Sequence, residues 1–409
     1  MSDSTPTQLR FSPLDGFTVR ADFEGGALSS DFGPLLLRGV DQQIGLTHRL
    51  AQAIHDGRHA SYIDHSMEDL LTQRIFQIAC GYADANDANA LRRDPVFKLG
   101  AERLPLEAEQ DLASAPTFSR LENAASHRDL YRMAQAFVEQ FVASYAKPPE
   151  MIVLDMDHSE DRTHGQQELA FYNQHYQSHC YLPLFLFEGL SGKFITAALR
   201  PGKRPKGAEN AMIIKRVLKR LRQHWPETHI LLRGDAHFAN VELMQLALDD
   251  PYTDFLFGLT SNSRLKKRAE PLLEHTRRLY EARCHNARLA EQDPPQRSRT
   301  FHELDYQARS WPKAFRTVLK AEVMALGDNP RFVVTSLDDP TPEILYAELY
   351  CARGQDENFI KMMKNDLASD RTSDCRFAAN HLRLFFSCAA YVLHHALRSE
   401  LLQGTELAR

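Results

Sequence analysis

MIVLDMD, residues Met151 to Asp157, and HILLRGD, residues His229 to Asp235, carry the reading of this chain. Each is a short apolar run that ends in acid, the pattern of a buried strand breaking into polar surroundings. Alternate side chains of a strand share a face, so Asp155 and Asp157 point the same way. Asp235 closes a strand whose other residues are largely apolar. Carboxylates aimed at one place by neighbouring strands repel one another unless a cation lies between them. Ligation by oxygen alone suits Mg2+ or Mn2+. Taken singly, each acid also reads as an ordinary cap or turn residue after a strand.

Outward from these runs the texture is that of an α/β chain. Further strands are expected over Tyr181 to Glu188, Phe194 to Arg200 and Phe255 to Leu259, with helices over Ala208 to Trp225 and Asn240 to Leu248. Residues 1–148 read as mainly helical after a polar tail, Met1 to Phe11. Leu46, Leu50, Ile54 and then Leu70, Leu71, Ile75, Ile78 recur at threes and fours, and Lys147-Pro148-Pro149 closes the region. A turn and helix is expected over Ala113 to Asn123, with Ser114 or Ala115 near the cap and Pro116 in the first turn. Another helix is expected over Arg128 to Tyr145. Residues 149–261 hold the strand-helix alternation, and 262–342 begin charged and turn β-like at Phe315 to Leu326 and Arg331 to Ser336. Residues 343–409 read as helices, broken around Ser369 to Asp374.

The 409 residues are 43% hydrophobic and 25% charged, enough for a core of ordinary size, which excludes global disorder. Lys and Arg number 49 against 54 Asp and Glu, a net charge of -5, so the chain is no uniformly basic nucleic-acid coat. Apolar stretches fall short of the roughly 20 residues of a membrane span, and the N-terminus has no secretory pattern. Six cysteines without a C-x-x-C pair read as reduced thiols of an intracellular protein. Phosphate loops, G-x-S-x-G elbows and H-E-x-x-H motifs are missing.

Four polar residues form a second constellation. Tyr350, Arg353, Glu357 and Lys364 lie in YCARGQDENFIKMMK at spacings of 3, 4 and 7. At about 100° per residue they fall in one helical stripe roughly 60° wide. An acid there can ligate metal, Arg and Lys can hold phosphate, and Tyr can pack on a nucleic-acid backbone. A solvated face with an Arg353–Glu357 pair is the plainer alternative. Residues 200–222 carry nine basic side chains, Lys215, Lys219 and Arg222 among them, against the single acid Glu209. They suggest a phosphate-binding face or a solvated helix. Thr117, Ser119 and Arg120 follow Pro116 in a helix that either reads DNA or is simply capped. His175, His179 and Cys180 resemble half a zinc site but lack a matching second pair; His175 is expected near the core acids.

Y-(2)-R-(3)-E-(6)-K is the signature of DDE transposases of one large group of bacterial insertion sequences, and the chain matches it without a gap. It most resembles insertion-sequence family thirteen-eighty. The resemblance is carried also by GYADANDANALRRDP (Gly81 to Pro95), SAPTFSRLEN (Ser114 to Asn123), LDMDHSEDRTHGQQELAFYNQHY (Leu154 to Tyr176), LLRGDAHF (Leu231 to Phe238) and RFAANHLRLFFSCAAYVL (Arg376 to Leu393).

This resemblance implies an α/β fold with an RNase H-like core, holding two Mg2+ (or Mn2+) ions between Asp, Asp and Glu. The second Asp maps to Asp235 and the Glu to Glu357. The first maps to Asp157, where Asp157-His158-Ser159 fits the D-x-[ST] register of relatives, with Asp155 as the alternative. Tyr350, Arg353 and Lys364 are then DNA contacts, joined by Lys215, Lys219, Arg222 and Arg120. Residues 1–148 become a helical DNA-binding region, 149–261 the first part of the core, 262–342 a β-rich insertion, and 343–409 the helices that complete the core. The implied activity is metal-dependent cleavage and strand transfer at terminal inverted repeats, by a homodimer on double-stranded DNA, in the bacterial cytoplasm and at the nucleoid when acting. A domesticated DNA-binding protein and a metal-dependent DNA nuclease are the competing readings.

Overall fold

The computed structural model describes residue 29, residues 31–406 and two short strands, residues 8–10 and 20–22, which pair antiparallel. The remainder of the tail from Met1 to Phe11 lies outside the described residues. The chain then runs through α1 (Gly33–Ile44), α2 (Leu46–Ala53) and α3 (Met67–Ala79), followed by α4 (Ala115–Ala124) and α5 (His127–Ala143). Local chemistry sets several of these starts. Ser66 with Asp69 and Ser126 with Asp129 form reciprocal capping boxes, and Pro116 occupies the first turn of α4 behind Ser114.

β1 (Met151–His158) lies within the main sheet. Its alternate residues enter different cores: Ile152, Leu154 and Met156 one, Val153 the other. β2 (Leu184–Glu188) pairs antiparallel with β1, and β3 (Phe194–Ala198) antiparallel with β2. On the other side β4 (His229–Gly234) runs parallel to β1, and β5 (Thr253–Leu259) parallel to β4. The spatial order is 3-2-1-4-5 with β2 alone reversed, which is an RNase H-like core. α6 (Gly207–His224) and α7 (Val241–Leu248) make the crossovers and lay Ile214, Leu218, Leu221, Leu243 and Met244 on the Ile152 face.

Two stretches differ from the sequence expectation. Tyr181 to Glu188 is not one strand. Ser178–Tyr181 belongs to a separate three-stranded sheet with Asp161–Arg162 and Phe171–Asn173, and β2 starts after Pro183, which has no N–H for a ladder. Residues 262–342 open with α8 (Ser263–Leu289), a helix of 27 residues that buries only Leu265, Ala269, Leu273 and Thr276. So thin a stripe, with Pro271 inside it, leaves little periodic signal. The strands after it, β6 (Arg297–Tyr306), β7 (Phe315–Met324) and β8 (Arg331–Thr335), prolong the core sheet, β8 pairing antiparallel with β5.

The C-terminal stretch is helical but not one helix. A π turn (Leu345–Tyr350) and a 3-10 turn (Cys351–Arg353) precede α9 (Gly354–Asn365), and α10 (Phe377–Ala396) follows the break. α10 is buried along most of its length and ties the helical half to the sheet through Phe385, Phe386 and Tyr391. Among the described residues no helix is long and apolar enough to cross a membrane.

Candidate catalytic site

The register of two strands builds the centre of the site. Asp155 and Arg233 are direct partners across β1 and β4. The same register, carried one step past the ladder, sets Asp235 beside Asp157. Both acids therefore emerge at the ends of adjacent parallel strands, on the face opposite Ile152 and Leu154. Each ties one oxygen down locally. Asp157 Oδ1 accepts the His158 N–H at 2.8 Å, and Asp235 Oδ1 accepts the His237 N–H at 2.9 Å.

Asp155 and Asp157 share a face but not an environment. Asp155 is fully buried, with Oδ1 and Oδ2 taken by Arg233 Nε at 2.5 Å and Nη2 at 2.6 Å. Arg233 Nη1 donates onward to the Leu349 carbonyl, which fixes the approach of the C-terminal turn. Gly189 leaves room for this pair, since a Cβ there would strike both Asp155 and Arg233. Asp157 lies nearer the surface, and burial pushes its carboxyl up to about 6, opposed by Arg353 and reinforced by Asp235 and Glu357. Asp235 is held below the usual carboxylate range. Burial works the other way but is outweighed by His237, whose Nδ1 stands 2.8 Å from Oδ2.

The Tyr-Arg-Glu-Lys stripe crosses three kinds of helical turn, and regular α-helix starts only at Gly354. Tyr350 rests over β5 at Gly258, where a Cβ would come within 2.5 Å of its hydroxyl. Arg353 bridges the two halves of the site, Nη1 standing 3.4 Å from Asp157 Oδ2 and Nη2 3.0 Å from Glu357 Oε1. Lys364, two turns further on, turns away from these acids. Its ammonium donates to the Glu160 carbonyl and lies 3.5 Å from Asp161, a carboxyl that burial pushes up to about 7.

Asp356 does not stand out in the sequence, yet it is the most enclosed acid of α9: its side chain is 1% exposed, against 48% for Glu357. It shares the buried stripe of α9 with Ile360 and Met363, and among the described residues neither of its oxygens has a hydrogen-bond partner. Burial, then the Asp157 charge, pushes it up to about 8. Spacings of four and three between an acid and two apolar residues are the signal that marks it. Arg233 has a similar signal, a cation inside the apolar run of β4.

The basic segment divides in two. Lys215 and Lys219 are exposed on α6 and, among the described residues, carry no ion pair. Arg222 is spent inside the protein on five hydrogen bonds, to Asp250 at 2.6 Å, the Trp225, Thr228 and Tyr252 carbonyls at 3.2, 2.6 and 2.9 Å, and Thr253 at 2.9 Å. Arg120 is exposed on α4 and bonds Thr117 at 3.2 Å. His175 sits within the turn after Phe171–Asn173 and His179 on the strand Ser178–Tyr181, so they share no helical face, and both are exposed. His175 is not packed by the acids as expected. Tyr176 beside it is the side chain that feels Asp157, after the larger effect of its burial.

All-carboxylate donors fit a hard divalent cation better than a thiophilic one. Among the described residues, however, no three His, Cys, Asp or Glu side chains are gathered closely enough to hold an ion as they stand. Between Asp157 and Glu357 lies the Arg353 guanidinium.

The family described as transposase DDE domain group 1 matches residues 11–409. No curated protein matches the chain. Among solved structures, a piggyBac transposase synaptic complex with hairpin DNA is similar at a TM-score of 0.48 and 13% identity, covering 92% of this chain and 77% of that one.

Proposed function

From the premise that this chain belongs to the transposase DDE domain group 1 family, we propose that it is the transposase of a bacterial insertion sequence, most like family thirteen-eighty. It binds the terminal inverted repeats of its element as double-stranded DNA, cleaves them and joins them to target DNA, working as a homodimer on paired ends. The observation that carries this reading is the level placement of Asp157 and Asp235 on adjacent strand ends, with Glu357 linked to them through Arg353. Asp157 is favoured over Asp155 as the first acid because both Asp155 oxygens are committed to Arg233. Two Mg2+ or Mn2+ ions held by Asp157, Asp235 and Glu357 would stabilise the attacking and leaving oxygens of the phosphodiester.

The remaining side chains do the positioning. Arg353 presents a planar fork whose unused N–H groups suit a phosphate beside the cut bond. His237 holds Asp235 Oδ2 and fixes the direction of that carboxylate. Tyr350, its hydroxyl seated over Gly258, offers its ring edge to the DNA backbone, and Lys364 steadies the strand end at Glu160 and Asp161. Incubating the full-length protein with a labelled terminal-repeat duplex and a target plasmid in Mg2+ tests the reading. Joined product is expected. Cleavage without joining would favour a nuclease, and binding without cleavage a domesticated DNA-binding protein.

For the electrostatic face, Lys215 and Lys219 remain candidate DNA-binding residues, and Arg120 another on α4. Arg222 is reassigned to holding the α6 end to β5. Lys215→Gln with Lys219→Gln should weaken binding equally for repeat and random duplexes. The slope of log affinity against log salt should shrink by about 0.9 for each phosphate that is no longer neutralised. Arg222→Gln should leave that slope unchanged and lower the melting temperature instead. A slope unchanged by the double substitution would return this helix face to mere solvation.

A further inference from the structure

Arg353 reaches three carboxylates, but not equally. Its donors lie 3.0 Å from Glu357 and 3.4 Å from Asp157, while Asp356 stands 3.6 Å from Nη1, beyond a hydrogen bond. Asp356 is the one of the three least able to tolerate this. Enclosed at 1% exposure, it has no hydrogen bond on either oxygen among the described residues, and the cation its charge faces is the Arg353 guanidinium at 3.6 Å. Glu357, by contrast, is half exposed and has solvent to fall back on.

A divalent cation and the guanidinium compete for the same oxygens of Asp157 and Glu357. A cation entering there displaces Arg353, and a charged Arg released into a buried site needs another acceptor. We propose that Asp356 is a positioning residue that supplies it: the second seat onto which Arg353 closes when the two acids turn to a divalent cation. One edge of the planar fork then rests on Asp356, and the other stays free for a phosphate. Asp356 acts through Arg353 and touches neither cation nor DNA. Its place on the inner stripe of α9, one residue before Glu357, puts this seat within a small side-chain rotation of where Arg353 now lies. The inference rests on reading Asp157, Asp235 and Glu357 as the ion-holding acids.

Mn2+ titration of the full-length protein without DNA, followed by electron paramagnetic resonance of the free ion, tests it without any activity readout. Asp235→Asn should lose most Mn2+ binding; if it binds like wild type, the ion-site reading itself fails and takes this inference with it. With that control in hand, Arg353→Gln should bind Mn2+ about fivefold more tightly, because the competitor is gone. Asp356→Asn should bind about fivefold more weakly, because Arg353 is left without its second seat and stays on the acids. In the Arg353→Gln background the Asp356→Asn loss should fall below about twofold, since no guanidinium remains to be seated. Unchanged or weaker binding by Arg353→Gln overturns the proposal. So does an Asp356→Asn loss that persists above about twofold in both backgrounds, which would make Asp356 a direct ligand. Asp356→Ser serves in the same cycle should the amide not fold, with melting curves confirming each variant.

Discussion

Asp157→Ala, Asp235→Ala and Glu357→Ala should each reduce cleavage of a terminal-repeat duplex in Mg2+ by on the order of 10^4-fold or more, since residues acting as one unit fail together. None of the three is needed for the fold. Asp157 and Asp235 stand past the end of the β1–β4 ladder, and Glu357 is half exposed. Binding of the repeat and the melting temperature should therefore stay near wild type. Removing Asp157 takes a buried, repelling charge out of a crowded site, so a slight rise in stability is expected there, whereas Asp235→Ala gives up the His237 contact that holds its carboxylate and should lower stability slightly. A purified variant that still cleaves at more than a few per cent of the wild-type rate would strike its acid from the site. If Asp157→Ala alone cleaved, the role of first acid would pass to Asp155.

The second large effect concerns stability. Arg233→Met and Asp155→Ala should each cost about 3–5 kcal/mol in urea unfolding, because either leaves one buried charge without its partner. Arg233 also holds the Leu349 carbonyl, so its loss should loosen the turn that delivers Arg353 and Glu357. Asp155→Ala is thus expected to lose activity in proportion to lost fold, whereas Asp157→Ala loses activity with the fold intact. Replacing both partners together, Asp155→Leu with Arg233→Met, should recover much of the stability, since a packed apolar pair avoids the desolvation cost of two ions. A single-variant loss below about 1 kcal/mol would mean that solvent reaches the pair.

Much of the site is legible in local pattern. Period two in MIVLDMD puts Asp155 and Asp157 on one face, and the apolar run before Asp235 marks a second strand pointing to the same region. Helical spacing brings Arg353 and Glu357 together, Ser66 and Ser126 stand where cap chemistry requires, and Ser114 with Pro116 marks the start of α4. Such signals survive in a sequence because they depend on neighbours within a few positions.

Other features depend on segments far apart in the chain, and only the tertiary structure decided them. Which strand meets which residue of β1 is a matter of register, and register alone assigned Asp155 to Arg233 and left Asp157 beside Asp235. Arg222 sits in the same helical stripe as Lys215 and Lys219, yet bonds from residues 250–253 turn it inward. α8 is faint in the sequence because a helix lying on one sheet edge needs few apolar residues, and β6 because its partner β7 supplies most of the burial. Asp356 reads as one more acid in GQDEN until the packing of α9 encloses it. Periodicity reports which side chains share a face. Whether a charge on that face meets water, a partner or nothing is set by what the rest of the chain places against it.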